Sequence, residues 1–413
     1  MTKAPVDLSP EQATALDLLR SGENVFLTGG AGSGKSFLIR HYMKEVDTKE
    51  LPILASTGAA AVLLGGRTFH SFFGLGIMEG GPDATYERAS KDNKLMARLR
   101  KVEGVIIDEI SMIPGQALMI AEALTQKARE SKLPWGGMRI IAVGDFAQLP
   151  PVTQTGQRDW CFLNQVWTAS GFQTVMLSHN QRVSDDLFLD VLHDIRHGLS
   201  TPRVRDFLNE HLQQHDPDHP GTRLFPRKLD AEKFNQMKLG EIPDDEIVID
   251  SIYFGSEKHI ELLMKTAPVP VKLVLKLGCR VMFLQNDPQK RWVNGTRGVV
   301  TDITDDKITV KKDNGREVQA DKSQFSLQDA EGNIMASVIQ FPLALAYATT
   351  IHKSQGATLD DLWCDISRLW EPGHAYVALS RLRSAEGLHL IGWNPRSIIV
   401  DPKVLEFYKK LEK

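Results

Sequence analysis

Long apolar stretches are missing from this sequence. The longest runs, residues 58–66 and 342–348, fall far short of the ~20 residues that span a bilayer, so no membrane-crossing helix is expected. Cysteine is scarce as well: Cys161, Cys279 and Cys364 lie far apart and form no C-x-x-C pair. That argues against a disulfide framework and a cysteine zinc site, and a reducing cytoplasmic setting fits best. Residues 1–7 lack the apolar core of a signal peptide, and no low-complexity tract or internal repeat occurs. Nor does charge of one sign dominate, since 49 basic residues face 52 acidic ones for a net charge of -3. Charge alone therefore does not announce a nucleic-acid binder, although phosphate contacts need only a local basic groove.

What is there has the composition of a globular protein. With 413 residues, 42% of them hydrophobic, the chain is too long for one ordinary core, and two or three domains are expected. Over the first ~175 residues, short apolar runs (25–27, 51–55, 105–107 and 140–143) alternate with helical stretches. Buried parallel strands read this way, because helices cover both faces of their sheet. Each run ends in small or acidic residues, where α/β sheets place their ligand loops. Residues 271–325 instead alternate polar and apolar and carry the turn signals Asn294-Gly295 and Asn314-Gly315. From Val338 the buried-strand pattern returns. The expected organisation is a first α/β domain over 1–175 and a second over 176–238 and 338–413. A small antiparallel β-barrel over 239–337 interrupts the second. His211, His215 and His219 fall in a proline-rich connection that breaks any helix aligning them, so a solvated loop is expected there rather than a metal site.

Gly29-Gly30-Ala31-Gly32-Ser33-Gly34-Lys35-Ser36 fulfils the phosphate-loop pattern G-x-x-x-x-G-K-[ST] between an apolar strand and a helix. The glycines let backbone N–H groups turn inward around phosphates, helped by the positive end of the helix. Lys35 is expected to reach the β- and γ-phosphates of ATP, and the Ser36 hydroxyl to bind Mg2+. The strand Val105-Ile106-Ile107 ends in Asp108-Glu109. These are read as a second magnesium ligand, Asp108, and a carboxylate that polarises the attacking water, Glu109. A third strand ends in Gly144-Asp145-Phe146-Ala147-Gln148, whose amide is placed to sense the γ-phosphate. To this point the residues describe an ATPase and no more.

Beyond the ATP site, the order of blocks resembles the superfamily-one helicases of the RecD-like and Pif-type branch, over nearly the whole chain from Leu8 to about Tyr408. The blocks that carry the resemblance are Leu8-Ser9-Pro10-Glu11-Gln12, Thr68-Phe69-His70-Ser71-Phe72-Phe73-Gly74, Asp108-Glu109-Ile110-Ser111-Met112, Asn180-Gln181-Arg182, the stretch Tyr347 to Gly356, and Tyr376-Val377-Ala378-Leu379-Ser380-Arg381. The resemblance implies two RecA-like motor domains, the second carrying an Src-homology-3-like barrel, and ATP-dependent DNA unwinding with 5′-to-3′ movement. It implies that Gln12 reads adenine, that Gln355 and Gly356 belong to the ATP site, and that Arg182 and Arg381 face the γ-phosphate from the second domain. Arginines so placed would neutralise transition-state charge only on closure, turning hydrolysis into domain motion. It places Thr57, Thr68, His70 and His352 along single-stranded DNA and makes residues 74–92 a strand-separating wedge. The expected partners are single-stranded DNA and single-strand/duplex junctions, with a monomeric motor and no membrane.

Two features extend the expected DNA track. Phe69, Phe72 and Phe73 could stack bases, with a core role as the alternative for each. Between Lys272 and Arg297 a basic stripe that includes Lys276, Arg280 and Arg297 faces one acid, Asp287, and fits either a phosphate-contacting face or a solvated one. The chain departs from the family pattern at Val183 and His374, where glutamine is common, and only loosely follows the signature helix between Gly115 and Arg139. Three rival readings are an ATPase switch that remodels without unwinding, an RNA translocase, and a binding module with a degenerate ATP site, against which intact Lys35, Ser36, Asp108, Glu109 and Arg381 argue. The first would carry a helical lid with one sensor arginine in place of a second full set of blocks. ATPase stimulation by DNA against RNA separates the second.

Overall fold

In the computed structural model, residues 8–411 are described, except 58, 59, 61–66, 77, 79, 153–156, 184, 215, 217, 218, 220 and 329–332. The chain divides into two compact units, Met1–Arg182 with Asp401–Lys413, and Val183–Val400.

The first unit is built on a six-stranded parallel sheet in the order β3-β2-β4-β5-β1-β6. Its strands are β1 (Val25–Gly29), β2 (Ile53–Ala55), β3 (Arg67–Thr68), β4 (Gly104–Ile107), β5 (Arg139–Val143) and β6 (Gln173–Leu177). All residues of β1, β2 and β4 are buried, as sheets covered on both faces require. Helix α1 (Pro10–Arg20) begins on a reciprocal cap. The Ser9 Oγ accepts the Gln12 N–H at 3.3 Å, while Gln12 Oε1 accepts the Ser9 N–H at 3.2 Å. Helix α2 (Lys35–Tyr42) follows the phosphate loop, and Gly34 before it has φ +90. The expected wedge segment forms a helix, Gly81–Ala89; it and the following helix Asn93–Lys101 pack on Gly115–Arg129.

Residues 401–413, expected with the second motor domain, fold onto the first unit instead. Their helix Pro402–Leu411 buries Val404 and Tyr408. Phe407 stacks on Phe162, with ring centroids 4.5 Å apart, and the Trp160 indole donates to Asp401 Oδ2 at 2.9 Å. Aromatic burial overrides sequence neighbourhood here.

The second unit carries a four-stranded parallel sheet, in the order Ala348–Thr350, Thr222–Phe225, Leu362–Ile366, Leu388–Trp393. Its inserted module is antiparallel. A five-stranded sheet (Glu317–Asp321, Lys307–Lys312, Arg297–Ile303, Arg280–Phe283, Leu343–Leu345) is accompanied by a three-stranded and a two-stranded one. A core around Val281, Phe283, Val300, Val310, Phe341 and Leu343 fills it. The apolar stretch after Val338 was expected to reopen the motor sheet. It belongs to the module: Ile334–Gln340 pairs antiparallel with Ile252–Gly255, and Leu343–Leu345 with Arg280–Phe283. A continuous apolar run marks a strand buried on both sides, whichever way its neighbour runs.

Candidate active site and nucleic-acid interface

The phosphate loop is tight because other groups crowd its glycines. A β-carbon on Gly29 would stand 2.4 Å from the Leu177 carbonyl oxygen, and one on Gly34 would stand 2.5 Å from Gln12 Nε2. One on Gly32 would meet Asn180 Oδ1 at 2.8 Å and Arg182 Cβ at 2.9 Å. With φ at +145, +85 and +90 for Gly29, Gly32 and Gly34, both backbone freedom and space demand glycine. Gln12 is thereby brought to the loop, its Oε1 held by the helix cap.

Segment 178–182 lies on the same loop. Asn180 Nδ2 donates to the Ala31 carbonyl at 2.9 Å, and the Gln181 N–H to the Gly32 carbonyl at 2.8 Å. Asn180 Oδ1 accepts the Arg182 N–H at 2.7 Å. Glu11 anchors this segment by accepting the backbone N–H groups of Ser178 and His179 and the Ser178 hydroxyl. Those donors hold its carboxyl below the usual range, the Ser178 hydroxyl most of all. Arg182, expected in the second domain, is therefore part of the first unit. The reason is local: β6 pairs with β1 through Gly29 and Leu177 and delivers the next residues to the loop. Glu11 went unread beside Gln12, since an acid in the first turn of a helix is unexceptional.

The Lys35 ammonium donates to the Gly29 and Gly30 carbonyls at 2.7 and 3.0 Å. Asp108 follows β4, and its Oδ1 accepts the Glu109 N–H at 3.0 Å. Burial pushes the Asp108 carboxyl above its ordinary value, against the Glu109 N–H and the charges of Lys35 and Arg40. Glu109 has φ +53 and ψ +49, a left-handed conformation rare for a residue with a side chain. A β-carbon on Gly144 would stand 3.0 Å from Ile110 Cγ2, so β5 presses closely on this turn. Glu109 thus carries backbone strain of about 1 kcal/mol. Gln148 is buried, donates its N–H to the Asp145 carbonyl at 3.0 Å, and places Nε2 3.5 Å from Asp145 Oδ2. Ser36 stands exposed on the first turn of α2, and Ser33 Oγ is buried with no hydrogen-bond partner among the described residues. A hydroxyl and a carboxylate are hard oxygen donors, the set that suits magnesium.

Arg381 belongs to the second unit and is buried there. It donates to the Val377 carbonyl at 2.8 Å, to Ser380 Oγ at 2.9 Å and to the Ser354 carbonyl at 3.4 Å. The stretch 351–356 is a turn in which Gln355 donates its N–H to the His352 carbonyl at 3.3 Å and Gly356 has φ +76. His352 is exposed, its ring 5.2 Å from that of His374.

Several expected DNA contacts are corrected. Phe69, Phe72 and Phe73 are each 1% exposed or less, so Phe72 is a core residue. Their i, i+3, i+4 spacing is that of an inward helical face, a signal present in the sequence. Lys276 is buried and donates to the Ile242 carbonyl at 2.9 Å. Arg297 is buried as well, bonding Thr222 Oγ1 at 2.6 Å and lying 3.5 Å from Asp313, which also pairs with Arg280 at 2.8 Å. Lys276, Arg280 and Arg297 are answered within the second unit, because a desolvated charge needs a partner. Thr57 and Thr68 cap local turns, accepting N–H groups from Ala60 at 3.3 Å and Ser71 at 3.1 Å. Half-buried His70 has its imidazole pKa lowered by burial and is neutral at pH 7. Of the three connection histidines, His215 lies outside the described residues. His219 pairs with Asp361 at 3.8 Å, and Asp361 with His389 at 3.3 Å.

Comparison with known proteins agrees with this geometry. The family model "PIF1-like helicase" matches residues 7–200, and "DNA helicase Pif1, 2B domain" matches residues 261–303. The chain is 82% identical over 407 residues to an ATP-dependent DNA helicase Pif1 of Bdellovibrio bacteriovorus, covering 98% of this chain and 93% of that one. A Bacteroides Pif1 crystallised with ADP-AlF4 superposes with TM-score 0.87 at 33% identity, covering 99% and 98% of the two chains. A Bacteroides Pif1 with ADP-AlF3 and single-stranded DNA gives 0.70 at 32% identity, with coverage of 99% and 98%. Among the described residues, no helix is long and apolar enough to cross a membrane.

Proposed function

The chain belongs to the PIF1-like helicase family, and from that premise we propose how its residues divide the work of an ATP-dependent DNA helicase. It binds ATP and single-stranded DNA and couples hydrolysis to unwinding. The observation that carries the assignment of roles is the crowded cradle at Gly29, Gly32 and Gly34, closed by Gln12 on one side and Asn180–Arg182 on the other.

Inward N–H groups and Lys35 hold the phosphates, and the Gln12 amide beside the loop reads the base. Ser36 and Asp108 are the residues that would hold magnesium, which would neutralise phosphate charge. Glu109 orients and polarises the attacking water. Gln148 senses the γ-phosphate, and Arg182 approaches it from the same unit as the phosphate loop. Arg381 is assigned to transition-state charge, where such an arginine contributes a factor of ~10³ or more. Gln355 and Gly356 are assigned to the nucleotide as well. Thr57, Thr68, His70 and His352 are assigned to the DNA strand; neutral imidazoles and hydroxyls suit sequence-blind contacts. Movement is 5′ to 3′ by the same reading, and a reducing cytoplasmic setting suits three buried free thiols.

Unwinding of a duplex carrying a 5′ or a 3′ single-stranded tail tests this directly, with Lys35→Ala as control. The 5′-tailed duplex alone should open, only with ATP and Mg2+. Opening of the 3′-tailed duplex would overturn the polarity, and unwinding by Lys35→Ala would overturn the ATP site.

A further inference from the structure

Helix Pro402–Leu411 does more than cover the first unit. Its packing is met by rings: Phe407 stacks on Phe162 and meets Phe146 edge-on at 5.3 Å. At position 408 an apolar ring would serve that packing equally well, yet the residue is tyrosine, 4% exposed. Its hydroxyl donates to Asp145 Oδ1 at 3.0 Å and accepts the Phe146 N–H at 2.9 Å. Thr28 Oγ1 lies 3.0 Å from the same oxygen. Because the phenolic proton goes to Asp145, the Thr28 hydroxyl is the donor of that pair. Thr28 immediately precedes Gly29, and Asp145 lies just past Gly144 after the end of β5, so one hydroxyl joins two loops of the ATP site.

The connection runs on to Gln148. Asp145 is fully buried; its Oδ1 also accepts the Ala147 N–H at 3.1 Å, and its Oδ2 faces Gln148 Nε2 at 3.5 Å. Without the phenolic donor, a buried carboxylate must draw more on its remaining donors, the Gln148 amide among them. We propose that Tyr408 is a positioning residue for ATP hydrolysis, setting the Gln148 amide through Asp145 and the entry to the phosphate loop through Thr28. This rests on the reading of Gln148 as the γ-phosphate sensor.

Tyr408→Phe keeps the ring and removes the hydroxyl. In the full chain saturated with single-stranded DNA, kcat for ATP should fall about ten-fold, as small misplacements at reacting groups do, with KM changed less than two-fold. Affinity for ADP should hold while affinity for ADP–aluminium fluoride drops, a split that loss of packing would not produce. Phe407→Leu, which loosens the same helix, should lower Tm and leave kcat within two-fold. Thr28→Val deletes one of the three bonds without touching the helix, and should lower kcat two- to three-fold. In combination, Tyr408→Phe should slow Gln148→Ala by no more than the two- to three-fold that the Thr28 bond carries, not by a further ten-fold. A parental kcat in Tyr408→Phe, or in Thr28→Val should the first variant not fold, overturns the proposal. So does an equal kcat loss in Phe407→Leu, or losses that multiply in full in the double variant. If Gln148→Ala itself turns over at the parental rate, the sensor reading fails, and the proposal with it.

Discussion

Asp108 and Asp287 are both carboxylates with cationic neighbours, and the fold treats them in opposite ways. In the inserted module, Arg291 grips Asp287 through two hydrogen bonds of 2.9 Å and holds its carboxyl below the usual range. At the phosphate loop, burial pushes Asp108 up despite the nearby charges of Lys35 and Arg40. In the basic stripe Asp313 pairs with both Arg280 and Arg297, although burial, more than Arg280, lowers the Arg297 pKa. A charge that the fold completes belongs to the fold; one kept under tension is available to a ligand.

Three experiments press on that difference. The largest effect is expected at the ATP site. Glu109→Gln should lower DNA-stimulated kcat by roughly 10²–10⁴, while single-stranded DNA affinity and Tm stay near parental values. A falling Tm with retained turnover would make Glu109 a structural residue and erase the distinction. In the module the reverse is expected. Arg297→Ala leaves Thr222 and Asp313 short of a partner and should cost about 2 kcal/mol, roughly 4–8 °C in Tm. The salt dependence of DNA binding should not change. A salt slope reduced by about one with Tm intact would return Arg297 to the DNA face.

His374 sharpens the contrast from a third position. It is buried, neither ring nitrogen has a hydrogen-bond partner among the described residues, and burial with nearby His352 lowers its pKa to about 4. The unfolded chain binds this proton near pH 6.5 and the folded one only near pH 4. In that window the unfolded state holds more protons, so stability falls as pH is lowered, by up to about 1.4 kcal/mol per pH unit. Chemical denaturation between pH 7 and 4.5 should show this slope, and His374→Gln should flatten it. An unchanged slope would assign the acid sensitivity elsewhere.

Much of the motor was legible in the sequence for a simple reason. The phosphate loop and the acidic pair lie next to the strands that present them, so spacing along the chain is spacing in the site. Phe72 misled because one aromatic side chain suits a core and a base stack equally, and only the i, i+3, i+4 set separates them. Lys276 and Arg297 misled because their partners, Ile242 and Thr222, lie 34 and 75 positions away. Arg182 is assigned by β-pairing at Gly29–Leu177, which no local pattern announces. Tyr408 is the extreme case, 263 positions from Asp145 on an amphipathic helix whose other members are ordinary.

That last separation also has a consequence in time. Thr28 and Tyr408 are 380 residues apart, and a ribosome adding ~5–20 residues each second delivers the second roughly 20–80 s after the first. Through that interval Phe26, Phe146, Phe162 and Trp167 have no Phe407 to cover them. The nascent first motor therefore lacks these ring contacts until residues 402–411 emerge.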